Sequence, residues 1–274
     1  MAFRLFDLNM VEIPTKTVKT IEFVPHRASV DRETDRAGHG EIVLGRRRNP
    51  RIINAKVWLT SYTAGTFKDF MSELQEQWDP LGQYYAIDDD EPHKRWLVEF
   101  NSMEPERINR NTAEINVEFY SAKGYAESLS TSLDPVTFAY NRMEFGKQVP
   151  IPTNVEDYIK TSQNFTVHNP SSFRVDPTDL HTRKIYIKPL ANGSNITLTN
   201  LTTNQVWKYT GSFNTGDNIL LDGVKYTKNG LRIENSTNIF DFNAVITLAK
   251  GDNKFKITGG ANFEVKFDFP FLYL

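Results

Sequence analysis

The chain has no cysteine in 274 residues. That removes disulfides, thiolate catalysis and cysteine metal sites together, and it suits a protein made in a reducing cytoplasm. No apolar run approaches the roughly 20 residues that a membrane-spanning helix needs. The opening Met1–Asn9 is broken by Arg4 and Asp7, too early for a secretory apolar core. No Gly-x-Ser-x-Gly elbow, phosphate-binding loop or dinucleotide glycine run is present, and the five histidines show no metal-ligand spacing. A charge excess is missing as well. Lys plus Arg number 32 against 34 Asp plus Glu, for a net charge of −2. Divided at Tyr125, the two halves carry −3 and +1, so neither has the basic surplus that phosphate-driven nucleic-acid binding requires. Enzyme is the class with least support, and no cofactor or metal is expected.

What is present is a succession of strands around one helix. Arg51–Ser61 alternates, placing Ile53, Ala55, Val57 and Leu59 on one face. The period then changes, because Phe67, Phe70, Met71, Leu74 and Trp78 recur at the spacing of one helical face. Thr66 is the expected N-cap, and Asp79–Gly82 ends the helix. Strands are predicted at Tyr84–Ile87, Arg95–Phe100 and Thr112–Tyr120, after a first strand at Thr17–Val24. The polar stretch Pro25–Gly40 reads as a long loop, poorly ordered in a free subunit and ordered against a neighbour in an assembly.

Residues 131–154 read as a linker, with Pro150 and Pro152 fixing an extended run and Phe138, Tyr140, Met143 and Phe145 packing on a domain surface. From Asn164 onward the chain is a series of short strands punctuated by turns, among them Asp222–Gly223 and Asn229–Gly230, the pattern of a sandwich or barrel. A strand is expected at Asn243–Leu248, and Thr153–Ile159 is the one further helical candidate. The five Asn-x-Ser/Thr triplets follow from an Asn- and Thr-rich β composition.

Three groups of residues are candidates for binding. Asp88–Glu91 has the oxygen ligands for calcium but lacks the ligand spacing and central glycine of an EF-hand loop, and reads as a charged hairpin tip. The basic group Arg46, Arg47 and Arg48, with Arg27, Arg32 and Arg36 in the preceding loop, is a candidate subunit contact; acidic neighbours favour ion pairing over DNA. Trp207, Tyr209 and Tyr226 lie on neighbouring predicted strands and form a candidate carbohydrate platform, with core packing as the plainer reading.

The Gly45–Arg48 turn into the Arg51 strand, the Phe67–Trp78 helix, the Tyr84–Phe100 hairpin and the Thr112–Tyr120 strand together resemble the N-terminal half of phage distal tail proteins. Those are the hub subunits of siphophage tail tips. The resemblance implies a mainly β chain, with an N-terminal β-sandwich-like domain clamped by one helix (1–130) and a C-terminal, galectin-like β-sandwich (155–274). It also implies a structural virion component, made in the host bacterial cytoplasm, whose N-terminal domains close a homo-hexameric ring. That ring would join the tail tube protein to a tail-associated lysin or tail fibre, with baseplate or receptor-binding proteins on the outer domain. The alternative is a carbohydrate-binding module acting in host recognition.

Overall fold

The computed structural model describes residues 2–14, 18–27, 29–36, 38–61, 64–79, 82–134, 155–179, 181–238, 240–260 and 262–274. The chain divides into two compact units, Met1–Glu127 with Leu274, and Ser128–Tyr273.

The first unit is built on β1 (Phe3–Phe6), β2 (Glu12–Ile13), β3 (Val18–Pro25), β4 (Val30–Arg36), β5 (Glu41–Arg48) and β6 (Arg51–Thr60). Helix α1 (Ala64–Trp78) follows, then β7 (Tyr84–Asp88), β8 (Lys94–Arg107) and β9 (Thr112–Ser121). The sheet runs in the order β2-β1-β7-β8-β9-β6-β3, antiparallel at every pairing, while β4 and β5 form a separate two-stranded ribbon. Alternation decides the faces. On β6 and β9, Ile53, Ala55, Val57, Leu59, Ala113, Ile115, Val117 and Phe119 are buried, and Asn54 and Asn116 between them are exposed.

Helix α1 covers the apolar face through Phe67, Leu74 and Trp78, with Phe70 and Met71 half-buried. Phe119 is the meeting point. Its ring lies 6.0 Å from Phe3, 6.3 Å from Trp78 and 6.1 Å from Tyr84, the first and last edge-on. The Tyr84 hydroxyl donates to the Trp78 carbonyl at 3.0 Å and so ties the helix end to β7. Burial, and secondarily Asp79, raises that phenol above its ordinary range.

Four features differ from the sequence reading. The helix begins at Ala64, which puts Thr66 inside the first turn instead of at the N-cap. Strand β1, not foreseen, pairs with β7 and buries Phe3 and Leu5 completely. Its four residues are too few for periodicity to register, and tertiary burial decides it. The expected Pro25–Gly40 loop is largely strand β4, and the Gly45–Arg48 turn is the end of β5. Their pairing sets Arg36 opposite Glu41 and Asp31 opposite Arg47 but Arg32 opposite Arg46, and no apolar alternation marks β4. Last, the linker is entered by a strand, β10 (Ala126–Thr131). Phe138, Tyr140, Met143, Phe145, Pro150 and Pro152 lie outside the described residues.

The second unit is a two-sheet sandwich. One sheet joins β11 (Ile159–Lys160), β20 (Phe263–Asp268), β13 (Lys184–Pro189), β16 (Ile219–Asp222), β17 (Lys225–Lys228) and β18 (Leu231–Arg232) in that order. The other joins β12 (Asn164–Asn169), β19 (Gly251–Thr258), β14 (Gly193–Asn200) and β15 (Gln205–Phe213). Rings interlock across the interior: Phe267 on β20 meets Phe255 on β19 at 4.9 Å and Phe165 on β12 at 6.0 Å. Asn229 and Gly230 both take positive φ, 51° and 81°, in the two-residue turn between β17 and β18.

The final strand β21 (Pro270–Tyr273) pairs with β10 and is held by buried serines. The Phe271 N–H donates to Ser128 Oγ at 2.8 Å, Phe269 N–H to Ser132 Oγ at 3.1 Å and Leu272 N–H to Ser171 Oγ at 3.0 Å. Asn243–Leu248, expected as a strand, is a 3-10 turn at Phe242–Ala244 capped by the Asp241 side chain, followed by an isolated bridge at Leu248. The helical candidate near Thr153 is a 3-10 turn at Val155–Tyr158.

Phe119→Ala should cost about 3–5 kcal/mol in urea unfolding, while the outward-facing Asn116→Ala on the same strand should stay within about 0.5 kcal/mol. Equal losses at the two positions would contradict the assigned faces.

Candidate assembly surface

The ribbon carries the least buried strands of the first unit. Every residue of β4 is exposed, and on β5 Ile42, Val43 and Leu44 expose 55%, 42% and 62% of their surface. Three consecutive exposed aliphatic residues are unusual for a paired strand. Leu44 is also the extra residue of a bulge, since Glu33 pairs with Gly45 and Thr34 with Val43. A bulge bends its strand and redirects the side chain it carries.

Five of the six candidate arginines fall on this ribbon. Arg32, Arg36 and Arg48 are exposed, as is Arg27 at the entry between β3 and β4. Arg46 and Arg47 occupy register positions opposite Arg32 and Asp31; their side chains lie outside the described residues. Arg51, next in the basic run, turns inward. Its guanidinium stacks 4.8 Å from the Trp96 ring, and burial, then the charge of Arg48, lowers its pKa. Gly124 closes the base of the same region at φ +66°, where a Cβ would come within 2.7 Å of the Asn49 carbonyl oxygen.

A second surface was not anticipated. On the sheet face away from α1, a groove of 580 Å³ is lined by Glu22, His26, Asn54, Lys56, Glu104 and Glu118, among others. Lys56 Nζ lies 3.2 Å from Glu114 Oε1. That hydrogen bond, followed by the charges of Glu114, Glu22 and Glu106, raises the Lys56 pKa. The outward positions of β6 and β9 could have signalled this acidic face, since Glu114, Asn116 and Glu118 alternate with the core residues.

The remaining candidates are tied into structure. Asp89 Oδ1 accepts from Arg4 Nε at 2.8 Å, and Glu91 Oε1 accepts from Lys94 Nζ at 2.5 Å. Burial, the largest cause, raises the Asp88 carboxyl. Among the described residues, no group of three or more His, Asp or Glu is placed to hold a metal ion. His181 is buried, and its Nδ1 accepts the Asp176 N–H at 2.9 Å.

The aromatic set of the second unit offers no open platform. Trp207 and Tyr226 are completely buried and Tyr209 is 4% exposed. The Trp207 and Tyr226 rings meet edge-on at 5.8 Å, and the Tyr209 hydroxyl folds back to donate to the Ser212 carbonyl at 3.1 Å. The polar neighbours of Trp207 on β15 mark the opposite face of a strand, so they point the ring inward. Arg183, immediately before β13, is buried; its Nη2 donates to the Gly223 carbonyl at 2.9 Å, and desolvation pulls its pKa down to about 10.

Residues 16–121, from just before β3 to the end of β9, match the phage tail protein RIFT-related domain family. The whole chain also superposes on the Dit protein of phage SPP1, whose structure is described as a paradigm of the hub adsorption apparatus in phages infecting Gram-positive bacteria. The TM-score is 0.73 at 12% identity, covering 99% of this chain and 100% of that one. The chain has the fold of that distal tail protein. Chains of the phage p2 baseplate in its activated conformation, with strontium or calcium, align over 98% of this distal-tail-like chain at 8% and 9% identity, with TM-scores of 0.47. No curated protein sequence matches it.

Replacing Trp207 with Ala should lower stability by about 3–5 kcal/mol in chemical denaturation, the cost of emptying a core site. Native Trp emission should stay unchanged on titration with mono- and oligosaccharides; a saturable sugar-dependent change lost in Trp207→Ala would restore the platform.

Proposed function

We propose that this chain is the hub subunit at the distal end of a siphophage tail, a structural virion protein without catalytic activity. Six copies close a ring through their first units. The ring joins the tail tube protein to the adsorption apparatus, a tail-associated lysin or tail fibre, and the second unit carries baseplate or receptor-binding proteins. The chain is made in the cytoplasm of the host bacterium and ends in the virion.

One observation carries this reading: a unit that matches a phage tail domain family over residues 16–121 extends a two-stranded ribbon whose β4 is exposed throughout and whose β5 exposes Ile42, Val43 and Leu44. A closed ring needs head-to-tail contacts, which join two different patches of each copy. The ribbon is one such patch, and the strands that flank it, β3 and β6, are its root. Near-zero net charge allows copies to approach without strong mutual repulsion. The mixed charge of the ribbon fixes register more than it adds affinity.

Mass photometry of the purified chain should show a particle six times the 31.5 kDa protomer, with a central hole in projection images. Arg32→Glu with Arg36→Glu should raise the concentration for half-assembly about tenfold, from pair terms of about 0.2–1 kcal/mol replaced by repulsion. A strictly monomeric chain at high concentration, with and without its tail partners, would refute the reading.

A further inference from the structure

Three buried or half-buried cations of the first unit have carboxylates. Lys94 and Lys123 meet Glu91 and Glu127 at 2.5 and 2.6 Å, and Arg95 meets Glu127 at 3.5 Å. Arg51, the first residue of β6, is different. It is only 7% exposed and shares the core face with Ile53. Its Nε has no hydrogen-bond partner among the described residues, and the charge acting on its guanidinium is that of Arg48, of like sign. Desolvation and that repulsion both oppose the cation, and the Trp96 ring 4.8 Å away offsets only part of the cost.

Two more buried polar groups adjoin it. Ser121 lies directly opposite Arg51 in the β6–β9 pairing, and Trp96 comes from β8. Ser121 Oγ and the Trp96 indole Nε1 are buried and, like Arg51 Nε, have no hydrogen-bond partner among the described residues. A buried donor left alone is costly, so core faces normally satisfy each one. Here three adjacent strands bring a guanidinium, an indole N–H and a hydroxyl to one end of the sheet, all able to donate. We infer that Arg51, Ser121 and Trp96 form a binding site for a small oxyanion of the phosphate class, at the junction between the ribbon and the sheet.

Chemistry selects the ligand. A guanidinium pairs with oxyanions through a two-pronged donor edge. Donors from three strands are not confined to one plane, which suits the oxygens of a tetrahedral ion. Size excludes a chain segment, because so little of Arg51 meets solvent that only a small ion reaches it. Position gives the ion a role. Arg48 ends β5 and Arg51 begins β6, so two like charges flank the Asn49–Pro50 junction where the ribbon leaves the sheet. A doubly charged anion turns their repulsion into a bridge and braces the root of the ribbon. The buried Arg183 of the second unit is the contrast: it donates to the Gly223 carbonyl, and Asp176 and Asp222 act favourably on its charge, so it needs no such ion.

Equilibrium dialysis of the full chain against radiolabelled inorganic phosphate, at an ionic strength fixed with sodium chloride, should find one saturable site per chain. Phosphate should also raise the melting temperature and shift the Trp emission of the unsubstituted chain but not the emission of Trp96→Phe. Arg51→Met should abolish binding and reverse the order of stability. Without phosphate it should melt no lower than the unsubstituted chain, because an uncompensated buried charge is gone; in saturating phosphate it should melt lower. Arg51→Lys keeps the charge but loses the fork, and should weaken binding about tenfold or more. A lower melting temperature for Arg51→Met in both buffers, with no response of the unsubstituted chain to phosphate, overturns the site. So does equal stabilisation of Arg51→Met by phosphate, and protection by acetate alone overturns the tetrahedral assignment. Should Arg51→Met fail to fold, dialysis of the unsubstituted chain decides: absence of a saturable site overturns the proposal.

Discussion

The first unit depends on one constraint: its central sheet has an apolar face, and among the described residues one helix covers it. Phe119 makes that coverage work. Its ring joins β1 through Phe3, the helix through Trp78 and β7 through Tyr84, so three otherwise separate elements share one contact. The tyrosine hydroxyl bonded to the helix's last carbonyl then fixes where the helix stops. With the apolar face closed, everything else in the unit is free to be polar. The opposite face becomes a field of carboxylates around Lys56, and β4 and β5 leave the sheet altogether.

A two-stranded ribbon gains little from burial, because among the described residues it pairs with no further strand. It is held by backbone pairing, and it displays what a core strand would hide. That combination is poor design for a solitary protein and good design for one whose surroundings are other copies. The second unit shows the opposite economy. Its large aromatic residues interlock between two sheets, and its polar groups are spent on closing turns and on clamping the last strand.

The elements most legible in the sequence were those whose periodicity matched their burial: β6, α1 and β9, where alternation or helical spacing alone names Ile53, Leu74, Trp78 and Phe119 as core. The distal-tail fold was legible through their order. Less readable were segments fixed by distant partners. Strand β1 is four residues long and owes its place to β7; β4 has no apolar pattern; β21 is held by serines more than a hundred positions earlier in the chain. The arginines of the ribbon stood out as a cluster, but the acidic groove on the sheet did not, because its members come from four strands. Trp207, Tyr209 and Tyr226 could be read either as core or as a platform, with core the plainer reading, because polar neighbours along a strand point away from an aromatic ring and say nothing of what lies above it; all three are buried.

The serine clamp on β21 has a consequence for biosynthesis. Phe271 meets Ser128 across 143 positions of chain. At roughly 5–20 residues per second of translation, β10 emerges roughly 7–30 s before the strand that will cover it. During that interval the edge of β10 that β21 will cover is bare, so a newborn chain is open to adhesive mispairing there until β21 arrives.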